Sequence, residues 1–175
     1  AIRGAHGAEK TLMRGFTTVR DVGGNSFSIK RMIDTGELIG PRILPSGPPI
    51  TQPGGHFDYR PYQAVPTNAA DSQWYWYSVG LMAMADGVPE VTKRAREVNI
   101  STGVGVSSTH YPLDVRQYTK AEIEAFVEVA DTYNTYVASH TFTDDAVRIS
   151  VEAGVKSIEH GFLMSRETME LMRDN

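Results

Sequence analysis

The sequence has 175 residues, 22% charged and 41% hydrophobic, with a formal net charge of −4, which is the make-up of one ordinary folded domain rather than of a disordered chain. It has no cysteine, so a disulfide framework, thiolate metal sites and a cysteine nucleophile are excluded. No apolar run reaches about 18 residues, so no membrane-spanning helix is expected, and no Lys/Arg cluster offers the positive surface that nucleic acid requires.

In chain order, Ile2, Ala5, Ala8, Leu12 and Met13 recur at helical spacing over residues 1–14, and Gly15 supplies the stop. Phe16 to Val22 is short and β-branched, bounded by Gly23-Gly24, and reads as a strand ending in a turn. Ser28 to Glu37 carries Ile29, Met32 and Ile33 on one helical side; Pro41 breaks it, and Arg42-Ile43-Leu44 suggests a second strand. Residues 45–79 hold Pro45, Pro48, Pro49, Pro53, Pro61 and Pro66, then the aromatic run Trp74 to Tyr77. Proline forbids regular structure over most of this stretch, which reads as a loop covering a cavity mouth.

Asp86-Gly87 opens a helix running to Val98, and Asn99 to Val106 reads as a strand entering a loop. No residue is left for the turn between them, where about two to six are usual, so the junction reads as shortened. Thr119-Lys120-Ala121-Glu122 is a capping box. The helix behind it should bury Ile123, Phe126, Val127, Ala130 and Tyr133. Thr135 to Ser139 is a strand, Thr143 caps a helix ending at Gly154, Val155 to Glu159 is a strand, and Arg166 to Asp174 is the last helix. Strands alternating with helices imply a parallel sheet or barrel.

Such folds bind ligands at the carboxyl ends of their strands. His140 closes the strand Tyr136 to Ser139, and His160 closes Ser157-Ile158-Glu159 before Gly161. One βα unit separates them, so their strands should be neighbours about 4.8 Å apart, with both imidazoles entering one small volume. Imidazole suits Zn²⁺ and related cations. The competing reading is a pair of histidines bonded to backbone. Two nitrogens also do not complete a catalytic zinc site, which takes three protein donors and an open position. His56, in the loop Gly54-Gly55-His56, could reach over a substrate or face solvent. Tyr111 could donate to a substrate carboxylate or simply pack. Asp21 could serve as ligand or base, but Arg20-Asp21 reads more readily as a structural pair. Glu159 should face away from His160 by the two-residue period and reads as a structural partner. The glycines at 23–24 and 103–105 match neither a P-loop nor a dinucleotide fingerprint. No residue is assigned as catalytic acid or base.

Several segments resemble one family. Gly15 to Gly24, Ile39 to Gly47 with Gly54-Gly55-His56, Ile100 to Ser108, Ala138-Ser139-His140 and Ile158-Glu159-His160-Gly161 together resemble the amidohydrolase superfamily, in its branch of imidazolonepropionase-like and metal-dependent prolidase-like enzymes. The resemblance implies an α/β fold comprising part of a (β/α)8 TIM-type barrel, roughly its second to sixth βα units, over residues 1–175. It implies a divalent metal, zinc foremost, one or two ions in an intact member, held in part by His140 and His160. It implies hydrolysis of C–N bonds in small amides, peptides or lactams by metal-activated water. The family's bridging lysine should lie just before Ile100, where this sequence has Asn99. Its first-strand histidine pair and its last catalytic aspartate have no counterpart among the 175 residues. By themselves these residues are therefore expected to take up metal weakly and to show no turnover.

Two other readings stand beside this one. The chain could be a non-catalytic barrel remnant that oligomerises or completes a partner, because an open sheet exposes edges that promote pairing. It could instead be a βα domain binding a small metabolite without metal. A homo-oligomer is expected, and no secretory leader is legible in the first ten residues, so a cytoplasmic location is the default expectation.

Overall fold

A computed structural model describes residues 2–56, 58, 80–97, 103–105 and 116–175. Its elements in chain order are α1 (Ile2–Met13), β1 (Thr18–Asp21), α2 (Phe27–Asp34), β2 (Arg42–Pro45), β3 (Ile50–Thr51), β4 (Ala83–Met84), α3 (Val88–Glu97), β5 (Gly103–Gly105), α4 (Lys120–Thr132), β6 (Ala138–Thr143), α5 (Asp144–Glu152), β7 (Ser157–Leu163) and α6 (Arg166–Asp174). The βα alternation read from the sequence is therefore present. The helix that Gly15 was expected to stop ends at Met13, and Gly15 takes the positive φ of 94° that glycine adopts without penalty.

The expectation of a section of a (β/α)8 barrel is corrected. Among the described residues the strands do not close: β1 and β2 form a two-stranded sheet, and the others form an open five-stranded sheet ordered β4-β3-β5-β6-β7. Every ladder pair among the described residues is parallel. The division falls between β2 and β3, where Pro45, Pro48 and Pro49 follow one another closely. Proline donates no ladder hydrogen bond, so one extended stretch of chain contributes to two sheets instead of running through one. Barrel closure needs continuous ladders with a consistent stagger. Among the described residues a single antiparallel bridge, Gly24 to Gly47, lies outside the strands.

Two strands fall where the sequence offered no strand signal. β3 lies inside the stretch read as loop, and β4 precedes the helix opened by Gly87. Each has only two residues, too few for alternation to register. They are held by their neighbours: Ala83 N donates to Pro49 O at 2.9 Å and Ala85 N to Thr51 O at 2.9 Å. The described part of β5 is Gly103–Gly105, and the junction between Val98 and Asn99 that reads as shortened lies outside the described residues. The segments 59–79 and 98–102, including Trp74 to Tyr77 and Asn99, lie outside the described residues.

The core forms where α3 and α4 cover the five-stranded sheet. Phe126 and Ile50 are fully buried, with Val91, Ile123, Val129 and Val137 around them. Phe126 meets Tyr118 edge-on at 5.4 Å between ring centroids, a favoured aromatic geometry. Burial pushes the Tyr118 phenol well above its ordinary pKa, and its hydroxyl donates to Ala85 O at 3.2 Å. Tyr133 departs from expectation: it is 44% exposed, because α4 ends at Thr132 and Tyr133 already sits at the C-cap.

The capping box is confirmed and does more than its spacing announces. Glu122 Oε2 accepts from Thr119 N at 2.8 Å, while Oε1 accepts from Gly87 N at 2.8 Å in the turn that opens α3. One nearly buried carboxylate thus serves the starts of two helices. Thr143 makes no side-chain capping bond for α5. Asp144, in the first turn of that helix, accepts instead from Ser165 N at 2.6 Å at the start of α6. Hydrogen bonds from Ser165 and Thr168 hold the Asp144 carboxyl below its ordinary pKa.

Candidate functional site

His140 lies on β6 and His160 on β7, and the two strands are paired, with His140 opposite Glu159 and Thr141 opposite His160. Both strands run past their histidines, to Thr143 and Leu163, so neither residue is terminal as the sequence suggested. Two local irregularities bring the rings together. The register shifts between Thr141 and Thr143, a bulge of the kind that re-aims a side chain. His160 has φ of 78°, followed by Gly161 at 59°. A non-glycine residue in this region costs about 1–3 kcal/mol and persists where its surroundings over-determine it. Those surroundings are visible: the Phe142 ring stacks on His160 with centroids 4.6 Å apart and planes 6° apart, and His140 Nδ1 lies 3.2 Å from His160 Nε2.

The protonation pattern of the pair follows from its third contact. His140 Nε2 lies 2.7 Å from Val22 O, in the turn after β1. A backbone carbonyl only accepts, so Nε2 carries the proton, and in the neutral ring Nδ1 presents a lone pair. His160 Nε2–H then donates to it. Histidines that ligate metals are commonly oriented in this manner, with one ring nitrogen donating to a carbonyl and the other directed at the ion. Two nitrogens each about 2.05 Å from one ion at a tetrahedral angle stand about 3.3 Å apart, close to the 3.2 Å observed. The spacing of the pair matches two positions of a cation site, which both nitrogens can fill once the His160 Nε2 proton has moved to its Nδ1.

It does not fit a complete one. Among the described residues no group of three or more His, Cys, Asp or Glu could hold a metal ion. The histidine pair supplies two nitrogens where a catalytic zinc takes three protein donors, so the zinc that the resemblance implied for His140 and His160 is not shown by this arrangement.

His56 is brought into the same neighbourhood. A turn seats it: Gly54 N donates to Asp58 Oδ2 at 2.6 Å, Gly55 N to Gln52 O at 2.8 Å and Asp58 N to Gly55 O at 3.0 Å. Burial, and then the proximity of the His140 ring, lower the His56 pKa from 6.5 to about 4. His56 is therefore neutral near pH 7. An unfolded chain would take up this proton below pH 6.5, whereas the folded one resists until about pH 4. The contribution to stability is thus complete above pH 6.5 and is lost as pH falls from 6.5 towards 4. An NMR titration of the imidazole should give a midpoint near 4; a midpoint at 6.5 would contradict this placement.

Gly55 has no room for a side chain. A Cβ there would collide with Thr51 Oγ1 and lie 2.9 Å from both Gln117 Oε1 and the Gln52 carbonyl. Gly55→Ala should cost about 2 kcal/mol by overpacking, measured by urea unfolding, and should move the His56 resonances.

Arg20 and Glu159 differ from their sequence readings. Arg20 pairs not with Asp21 but across the molecule. Its Nη2 donates to Glu159 Oε1 at 2.6 Å and its Nη1 to Tyr136 Oη at 2.9 Å. The Tyr136 hydroxyl foremost, with the Glu159 charge, raises the Arg20 pKa despite partial burial. Glu159 is a structural partner as expected, but of a residue 139 positions away. Sequence reading found neither this link nor Phe142 and the Val22 carbonyl. The His160-Gly161 dipeptide was the one local hint, since glycine after a strand histidine signals unusual backbone. His6 is exposed on α1. Tyr111 lies outside the described residues.

Fold and site together define an α/β protein carrying an imidazole pair on neighbouring parallel strands. A model of the amidohydrolase family matches residues 1–174, and the chain belongs to that family. Ochratoxinase of Aspergillus niger is 28% identical over 186 residues, which cover 97% of this chain and 38% of the relative. The structure of a prolidase complexed with N-methylphosphonate-L-proline is 35% identical with a TM-score of 0.85, covering 99% of this chain and 44% of that one. An Xaa-Pro dipeptidase solved with methionine in its active site is 29% identical with a TM-score of 0.78, covering 97% and 43%. The chain thus spans about two fifths of the length of these relatives. Among the described residues no helix is long and apolar enough to cross a membrane.

Proposed function

We propose that this chain is part of a hydrolase of amide or peptide C–N bonds, in which His140 Nδ1 and His160 Nε2 provide two donors to a divalent cation. The observation that carries this reading is the 3.2 Å separation of those nitrogens combined with the commitment of His140 Nε2 to Val22 O. When bound, such a cation supplies Lewis acidity towards an amide carbonyl and lowers the pKa of a water. The chain's own residues do the rest. Val22 O holds the His140 tautomer. The Phe142 ring holds the plane of His160. His56, neutral near pH 7, takes a hydrogen bond from a substrate or gives one without adding positive charge beside His140. Tyr111 is a proposed second substrate contact through its hydroxyl. A small peptide or N-acylated amine is the proposed substrate class, in keeping with the prolidase and dipeptidase among its relatives.

The test is Co²⁺ titration of the 175-residue chain, followed by NMR of the histidine rings. His140 and His160 signals should broaden first, and the double variant His140→Ala/His160→Ala should show no such broadening. If Co²⁺ broadens other side chains first, or none, the reading fails.

A further inference from the structure

We propose that the Arg20–Glu159 ion pair is a positioning device for His140. By clamping β1 against β7 it seats the Val22 carbonyl on Nε2 and so commits the Nδ1 lone pair to the histidine pair. The value of that commitment for cation binding rests on the function proposed above; the positioning itself does not.

Among the described residues no backbone ladder joins β1 to β6 or β7, since β1 belongs to the separate two-stranded sheet. The Val22 carbonyl is nevertheless held 2.7 Å from His140. Two residues earlier, Arg20 reaches the same part of the large sheet at two points, with Nη2 on Glu159 and Nη1 on the Tyr136 hydroxyl. The guanidinium is a rigid planar fork, so two prongs on two acceptors fix its orientation as well as its distance. Its carbon also lies 5.9 Å from the centre of the Tyr136 ring, within cation–π range. The acceptor is itself held, because Ser157 Oγ donates to Glu159 Oε1 at 2.8 Å. Tyr136 leads into β6, which carries His140, and Glu159 lies opposite His140 in the β6–β7 register. Arg20 therefore grips both strands that hold the histidines, through side chains one strand position or a few residues away from them.

An exposed ion pair contributes little to global stability. A tautomer, however, is decided by small energies. Releasing Val22 O removes one ordinary hydrogen bond from the Nε2–H form, enough to shift the tautomer ratio about tenfold. Arg20 and Glu159 are thus positioning residues, with no contact to a substrate assigned to either.

The experiment is ¹⁵N NMR of the histidine rings in the full 175-residue chain. His140 should be protonated at Nε2. Arg20→Met and Glu159→Gln should each shift the ratio about tenfold towards Nδ1–H, while Arg20→Lys, which keeps the charge, should restore part of the wild-type ratio. Should Arg20→Met fail to fold, Tyr136→Phe removes one prong by a single oxygen and is read in the same way. Co²⁺ affinity should fall about tenfold in the shifted variants. An unchanged tautomer in folded variants overturns the inference. A wild-type chain with the Nε2–H tautomer and no Co²⁺ broadening would instead defeat the proposed function and leave the positioning role standing.

Discussion

His140→Ala is expected to lower Co²⁺ affinity of the chain by about 100-fold or more, because it removes one of the two nitrogen donors outright, and losing a mere orienting partner already costs about 10–100-fold. The same substitution removes the bond from Nε2 to Val22 O and should cost about 1 kcal/mol of stability. A fall in affinity with little loss of structure therefore separates a cation donor from a purely structural histidine. Isothermal titration and urea unfolding on the same sample give both quantities. His160→Ala should lose affinity similarly but gain back some backbone strain, since alanine at φ of 78° has no stacked ring to hold it there. His160→Gly should relieve that strain while leaving affinity low. Equal affinities for wild type and His140→Ala would remove the cation site from this face of the sheet.

Phe126→Ala is expected to destabilise the chain by about 3–5 kcal/mol, the usual cost of emptying a fully buried aromatic position. Phe126 has no exposed surface and sits between α4 and the sheet against Tyr118. Total stabilities of single domains are about 5–15 kcal/mol, so this one change should remove a large share of the cooperative unfolding transition. Circular dichroism through a urea series measures it. The loss is also predicted to reach the site: α4 carries Glu122, whose carboxylate holds Gly87 N, and the same core supports β6. His140 line widths should therefore increase in Phe126→Ala before the chain unfolds.

The helices were legible because their signals are local. The capping box at Thr119, the stop at Gly15 and the apolar spacing of Ile123, Phe126 and Ala130 each act within a few residues, and each reappears in place. The two-residue strands were not legible, since Ile50–Thr51 and Ala83–Met84 become strands only through partners far along the chain. The parallel pairing of β6 with β7 followed from the βα beat. The failure of the strands to close did not, although Pro45, Pro48 and Pro49 stood in the sequence: proline marks a break in a ladder without saying which strands lie on either side.

The candidate site divides along the same line. His140 and His160 were singled out by residue type and by an expected strand-end position, which the structure moves inside β6 and β7; the chain as a whole belongs to the amidohydrolase family. His56 could be named but not located. That one imidazole donates a hydrogen bond to the Val22 carbonyl, that the other is bent to a positive φ under Phe142, and that Arg20 ties both strands to β1 are decisions of the tertiary structure. The amino-acid order determined which imidazoles exist and which strands carry them, because those properties depend on near neighbours. Which nitrogen faces which depends on contacts spanning more than a hundred residues, and such contacts are set only when the sheets meet.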